Sequence, residues 1–190
     1  MLQERVALSL REHTRILEET FLMQAGHLAS FAERVVATFN QGGRLLIIGS
    51  GSLGPVADLM ANLFLHRLSL ERPPLPALSL SQNATFASSL ARDGQDNQFF
   101  SRQLRVTAGE QDIVLALCDQ TRDDTLLEGL AEAAQLGCTT AATHGKEEFP
   151  GEQPDFLFRI ATDSPPRTVE ATIFFAHLLG ELVEKSLFGI

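Results

Sequence analysis

Hydrophobic residues follow two different spacings along this chain of 190 residues. Up to about residue 40 they recur every three or four positions, which predicts two helices that meet near Gly26. Beyond residue 44, short runs of Ile, Val and Leu alternate with helical spacing, a pattern typical of a parallel sheet covered on both faces. The predicted strands are 45–48, 77–80, 112–117, 139–143 and 156–160. The predicted helices between and after them are 55–68, 84–90, 97–106, 124–136 and 168–187.

The whole chain is predicted to form a single α/β domain. Residues 41–190 supply the sheet and its covering helices, and residues 1–40 form an N-terminal helical extension. A long helix placed ahead of a sheet has no strand layer of its own to cover. We therefore expect this extension to mediate oligomerisation by packing on a partner subunit.

The composition of the chain argues against several classes of function. The net charge is −9 and no Lys/Arg cluster is present, which disfavours direct nucleic-acid binding. No apolar stretch is long enough for a membrane span, and the N-terminus does not resemble a signal peptide, so we expect a cytoplasmic protein. The two cysteines, Cys118 and Cys138, lie far apart without metal-ligand spacing. They are predicted to be buried thiols, and neither a metal site nor a cofactor is expected.

A loop of small residues follows the first predicted strand. Ser50, Gly51 and Ser52 lie between the apolar run and the next helix, with Pro55 suited to the first helical turn. Backbone N–H groups at such a helix N-terminus can bind an anion, which makes these three residues candidates for binding a phosphate or a sugar oxygen. The alternative is a structural turn that needs small residues for packing.

The loop after the central strand has a different chemistry. It reads Cys118-Asp-Gln120-Thr121-Arg122-Asp-Asp124 and carries three carboxylates. Asp123 or Asp124 is predicted to cap the following helix and to satisfy the N–H groups that a phosphate would otherwise use. Arg122 could face inward to offset the negative charge, but an Arg exposed to solvent is favoured.

Two further polar positions are considered as site residues. His177 lies on an apolar face of the last predicted helix, with Glu170 two turns earlier on the same side. A single His in that setting is more often a core or interface residue than a catalyst. Asp93 lies in a turn before a helix, where its simplest role is capping.

Several collinear segments resemble the SIS (sugar isomerase) domain, on the branch of the phosphoheptose isomerases and of the protein that associates with the replication initiator DnaA. They are Gly42-Gly43-Arg-Leu-Leu-Ile-Ile-Gly49-Ser-Gly51, Glu71-Arg-Pro-Pro-Leu-Pro-Ala77, Ala91-Arg-Asp93, Gly109-Glu-Gln-Asp112-Ile-Val-Leu and the helix from Arg167 to Lys185. The resemblance implies a three-layer sandwich with a five-stranded, flavodoxin-like parallel sheet. It also implies a homotetramer with sites at subunit junctions. Its implied ligand is a sugar phosphate. The candidate binding residues are Ser50, Gly51, Ser52, Asp93, Gln120, Thr121 and Arg122, although the serine-rich second loop of the family is replaced here by residues 118–123, which removes its phosphate-binding hydroxyls.

The catalytic positions implied by the resemblance carry different residues here. The glutamate of the isomerases corresponds to Leu63, one of their histidines to Leu59, and the glutamine of the last helix to Val169. The position of the second histidine is kept as His177, the one catalytic candidate. Aldose–ketose isomerisation needs both a base and an acid, and leucine supplies neither.

Three functions remain open from the sequence. The first is a catalytically degenerate binding or regulatory tetramer that recognises a sugar phosphate or a protein such as a replication initiator, with Leu187 and Phe188 as an anchor for that partner or as interface residues. The second is an active sedoheptulose 7-phosphate isomerase of lipopolysaccharide heptose synthesis, with Asp58 or Glu170 as a replacement base. The third is a ligand sensor whose acidic second loop accepts a cationic group.

Overall fold

Five parallel strands form the centre of the fold, in the order β2-β1-β3-β4-β5. The structure is a computed structural model that describes residues 1–68 and 71–189. Strand β2 lies on one side of β1 and β3 lies on the other. This is the flavodoxin-like order that the resemblance implies. The strands are β1 (Leu45–Gly49), β2 (Ala77–Ser79), β3 (Ile113–Leu117), β4 (Thr139–His144) and β5 (Phe156–Arg159).

Seven helices in the described part of the chain pack around this sheet. They are α1 (Leu2–Phe21), α2 (Ala25–Asn40), α3 (Gly54–Leu65), α4 (Ala84–Arg92), α5 (Phe99–Thr107), α6 (Asp124–Gln135) and α7 (Pro165–Phe188). All five strands and every predicted helix of the core are present, with ends within a few residues of the prediction. Over the described residues, no helix is both long and apolar enough to cross a membrane.

The two faces of the sheet bury separate hydrophobic clusters, because successive side chains of a strand point to opposite sides. Leu45 and Ile47 of β1 pack with α2, α3 and α7. Leu46 and Ile48 pack on the other side with α5 and α6. Every residue of β1 is buried, which explains why this strand reads as a continuous apolar run.

The corner between α1 and α2, predicted near Gly26, lies at residues 22–24. Gly26 is the second residue of α2. Gln24 fixes the corner: its amide donates to the carbonyl oxygens of Thr20 (2.9 Å) and Arg159 (2.7 Å) and accepts from the N–H of Arg159 (3.0 Å). The corner is therefore set by contact with the edge strand β5.

A buried ion pair joins the end of α3 to α7. The Nε of Arg72 donates to Glu184 at 2.7 Å, and its Nη groups donate to the carbonyl oxygens of Leu63 and Phe64, each at 2.8 Å. The Arg72 and Glu184 side chains are 3 % and 6 % exposed. This arginine satisfies carbonyls at the C-terminal end of α3, which have no partner within the helix.

Candidate functional site

The loop after β1 is shaped by two glycines. A Cβ added at Gly49 would lie 2.6 Å from the carbonyl oxygen of Leu53, so only glycine lets α3 begin so close to the strand. Gly51 has a φ of +52°, a conformation that favours glycine. A short 3-10 turn follows, and α3 begins at Gly54 with Pro55 in its first turn. The strand, small-residue loop and helix predicted from the sequence are all present.

The carboxyl ends of β1 and β3 form the switch point of the sheet, where the chain departs in opposite directions and open α/β folds bind ligands. The loop at residues 50–53 follows β1, and the loop at residues 118–123 follows β3 and leads into α6. We call the space between these two loops the crevice.

A carboxylate of the chain itself occupies the N-terminus of α6. One oxygen of Asp123 accepts hydrogen bonds from the backbone N–H groups of Thr125 (2.9 Å) and Leu126 (3.3 Å). Its other oxygen accepts the hydroxyl hydrogen bond of Ser50 across the crevice. The capping role that the sequence predicts is confirmed for Asp123, and the bond to Ser50 ties the two loops together.

The remaining carboxylates of the second loop also have partners. Asp119 accepts the backbone N–H of Thr121 at 2.7 Å, and Asp124 pairs with Arg122 at 2.8 Å. Arg122 faces outward, and its second contact is with the carbonyl oxygen of Pro150. The solvent-exposed orientation favoured for Arg122 is therefore confirmed, since its side chain is 62 % exposed.

The thiol that opens this loop is buried and protonated. Burial, followed by the negative charges of Asp123 and Asp119, raises the pKa of Cys118 far above its ordinary value. Because a thiol reacts as the thiolate, Cys118 is chemically inert at neutral pH. The prediction of buried thiols holds for Cys118 and Cys138, each 6 % exposed.

Two cavities open on the crevice and share Ser50 and Gly51. We name the first, of about 210 Å³, the acidic cavity. Its lining comprises Ser50, Gly51, Ser52, Leu53, Leu117, Asp119, Thr121, Arg122, Asp123 and Leu126. We name the second, of about 320 Å³, the aromatic cavity, because Phe99 and Phe100 form one wall. Its polar lining includes Ser81, whose hydroxyl accepts the N–H of Gly49 at 3.1 Å.

Five of the predicted binding residues meet at the acidic cavity, and the others lie elsewhere. The five are Ser50, Gly51, Ser52, Thr121 and Arg122. Gln120 turns toward α7, where its amide donates to the carbonyl oxygen of Asp163 and accepts from the hydroxyl of Thr168. Asp93 is exposed at the end of α4 beside Arg92. Neither Gln120 nor Asp93 lines the two crevice cavities.

His177 is held within α7 and does not line either crevice cavity. Its Nδ1 donates to the carbonyl oxygen of Ile173 at 2.9 Å. The sequence predicts that His177 and Glu170 share a face, but Glu170 binds Arg167 (2.6 Å) and His13 (2.8 Å). Partial burial alone would raise the pKa of Glu170, yet these hydrogen bonds lower it below its ordinary value.

Three of the four positions that the resemblance implies as catalytic carry apolar residues. Leu63 is 8 % exposed and lies in the hydrophobic cluster beneath α3 and α7. Val169 packs against the same cluster, and Leu59 is 36 % exposed on α3. The other candidate base, Asp58, accepts a hydrogen bond from the amide of Gln82.

Sequence reasoning missed His144, the last residue of β4. It is 1 % exposed, and neither ring nitrogen makes a hydrogen bond of standard geometry within the described residues. Its ring packs edge-on against Phe149, with 5.3 Å between ring centres. No spacing to other polar residues marks His144, because its setting depends on the neighbouring loops. Throughout residues 1–68 and 71–189, no group of three His, Cys, Asp or Glu side chains is arranged to hold a metal ion.

The sequence profile of the SIS domain matches residues 10–145. This chain belongs to the SIS domain family. It is 30 % identical over 190 residues to a phosphoheptose isomerase of Trichlorobacter lovleyi, covering all of this chain and 97 % of that protein. The family that the sequence suggested is thereby confirmed.

Solved SIS structures share the fold over nearly the full length. A phosphoheptose isomerase from Francisella tularensis superposes with a TM-score of 0.90 at 22 % identity, covering 97 % of this chain and 99 % of the other. One from Neisseria gonorrhoeae gives 0.88 at 19 % identity, covering 97 % and 100 %. At these identities the likeness establishes the SIS fold. In this chain the crevice lies at the switch point of that fold.

Proposed function

We propose that this SIS domain is a binding protein for a sugar derivative and does not interconvert aldoses and ketoses. Leu63 carries the proposal, because its side chain is 8 % exposed in the hydrophobic cluster where the resemblance implies a catalytic glutamate. An apolar side chain cannot move a proton, and loss of a general base costs about 10² to 10⁴ in rate.

The crevice supports a binding role. Its two cavities, of about 210 and 320 Å³, adjoin and offer both polar and aromatic walls. Ligand sites of proteins are typically concave and largely preformed, with a few polar groups that fix orientation. The switch point of the sheet is a usual place for such a site.

The second candidate is an active sedoheptulose 7-phosphate isomerase. Full-length similarity to phosphoheptose isomerases favours it. It would need a replacement base, and both candidates have partners: Asp58 accepts from Gln82, and Glu170 binds Arg167 and His13.

The purified protein tests the two candidates directly. Sedoheptulose 7-phosphate is incubated at high enzyme concentration, and product is compared with that of a heat-inactivated sample. We expect no difference. Turnover that scales with the concentration of native protein would refute the proposal and establish the isomerase.

We further propose that copies of this chain assemble as a homotetramer, as the resemblance implies. An apolar groove of about 480 Å³ runs along α1, α2 and α7, lined by Phe21, Leu28 and Phe174 among others. Val6 and Leu10 on the N-terminal half of α1 are 69 % and 65 % exposed. Large exposed apolar surfaces of this kind mark interaction sites.

A further inference from the structure

The N-terminus of α6 combines features of an anion site with a carboxylate that already fills it. Helix α6 has 12 residues and begins at the carboxyl edge of the sheet, beside the switch point. Its first N–H groups would attract a phosphate there, since they lack partners within the helix. In this chain the N–H groups of Thr125 and Leu126 are bound by Asp123.

The same carboxylate also accepts a hydrogen bond from a hydroxyl on the opposite wall of the crevice. Ser50 donates to the oxygen of Asp123 that does not cap the helix. Asp123 therefore accepts hydrogen bonds from two backbone N–H groups and one hydroxyl. A bound phosphate would use a similar set of donors. A phosphate entering the acidic cavity would find these donors bound and a negative charge beside it.

The cation that lines the cavity is already engaged. Arg122 donates to Asp124 and to the carbonyl oxygen of Pro150, and Asp119 adds a second carboxylate to the lining. Like charges a few ångströms apart repel even in partly hydrated surroundings. The charge of the cavity thus opposes every anionic ligand.

We infer that Asp123 is a specificity determinant that excludes phosphorylated ligands from the crevice by serving as a built-in anion, so that the site takes an uncharged sugar. The inference rests on the proposed binding function and narrows its ligand class. Asp119, Asp123 and Asp124 all have hydrogen-bond partners in this loop. A cationic group would have to displace those partners.

The test substitutes Asp123 without removing the helix cap. In Asp123→Ser the hydroxyl remains a good N-cap, and Asp123→Asn keeps both the shape and the capping oxygen. Asp124→Ser is the matched control: it removes the same charge one residue later, from an exposed side chain that does not bond Ser50. Circular dichroism confirms that each variant is folded.

Calorimetric titrations with inorganic phosphate and with sedoheptulose 7-phosphate give the readout. We expect both Asp123 variants to bind these probes at least about tenfold more tightly than the wild type, and Asp124→Ser to remain close to the wild type. Equal affinity of wild type and Asp123→Ser, including no binding by either, overturns the inference. An equal gain in Asp124→Ser also overturns it, because the effect would then be one of net charge.

The proposed binding function and the proposed role of Asp123 are refuted by different experiments. Turnover of sedoheptulose 7-phosphate by the wild type refutes the non-catalytic function, whatever the order of affinities. Unchanged phosphate affinity in the Asp123 variants refutes the specificity role, even where no turnover occurs.

Discussion

The roles of some residues can be predicted from their neighbours in the sequence, whereas the roles of others depend on contacts with distant parts of the chain. The sequence predicts Asp123 or Asp124 as the helix cap, because a carboxylate preceding a helical pattern has that role locally, and the structure assigns it to Asp123. Its bond to Ser50 joins residues 73 positions apart and needs the pairing of β1 with β3. Gln120 was grouped with Thr121 by sequence, but its side chain turns toward α7 and leaves the crevice.

His144 makes stability depend on pH. Burial lowers the pKa of its imidazole from the ordinary 6.5, although backbone groups of Glu148 and Asp119 and the charge of Asp119 oppose this, while Arg159 adds to it. The unfolded chain takes up the proton more readily than the native one. Stability is therefore unaffected by this group at high pH and falls as the pH drops through and below 6.5.

Urea unfolding of the wild type and of His144→Phe between pH 5 and pH 8 measures this contribution. The difference in unfolding free energy should shift in favour of His144→Phe as the pH falls, because phenylalanine cannot be protonated. His66→Phe, at an exposed position, is the control for the general effect of replacing a histidine by phenylalanine. Parallel profiles for wild type and His144→Phe would show that His144 is not the group responsible.

The presence of each helix and strand was predicted more reliably than the residues at which it begins and ends. The five strands have three to six residues each, and in the two central ones, β1 and β3, the run has no polar side chain, a strong signal for a sheet buried on both faces. The corner between α1 and α2 was misplaced because Gly26 was taken as the breaker. The actual corner depends on Gln24 and β5, a contact that local spacing does not encode.

Arg72 stabilises the junction of α3 and α7. In Arg72→Met, Glu184 loses its buried cation and the carbonyl oxygens of Leu63 and Phe64 lose a donor. We expect the free energy of unfolding to fall by about 3 to 5 kcal/mol in urea titrations. The double variant Arg72→Met/Glu184→Leu should recover part of this loss, because it removes the buried charge as well.

Arg67 offers a matched control for that experiment. It pairs with Glu71 on the surface, with side chains 41 % and 88 % exposed. Arg67→Met should cost no more than about 1 kcal/mol, as is usual for exposed pairs. A comparable loss in Arg67→Met and Arg72→Met would contradict the role given to the buried pair.

At the scale of the whole molecule, the parallel sheet was predictable from the alternation of strands and helices. The strand order was implied by the resemblance and not by periodicity, since spacing alone does not rank neighbouring strands. The cavities could not be predicted at all. Their walls come from Gly49, Phe99 and Asp123, which are separated by many residues and meet only in the folded chain.

The exposed apolar face of α1 gives a prediction about assembly. In Val6→Lys/Leu10→Lys, charges replace two side chains that are 69 % and 65 % exposed. We expect the molar mass measured by light scattering to fall from that of a tetramer, with helical content unchanged. Val106→Lys is the control: this side chain is 84 % exposed on α5, on the other side of the sheet, and the tetramer should persist. A monomeric wild type would rule out the proposed assembly.

The clamp formed by Gln24 has a consequence for solubility. Strand β5 is an edge strand of four residues, and an open edge offers N–H and C=O groups to a strand of another molecule. Gln24 takes both the N–H and the C=O of Arg159, as an adjoining strand would. A single side-chain amide thereby closes the outer hydrogen-bonding position of Arg159, at which a strand of another molecule could otherwise pair.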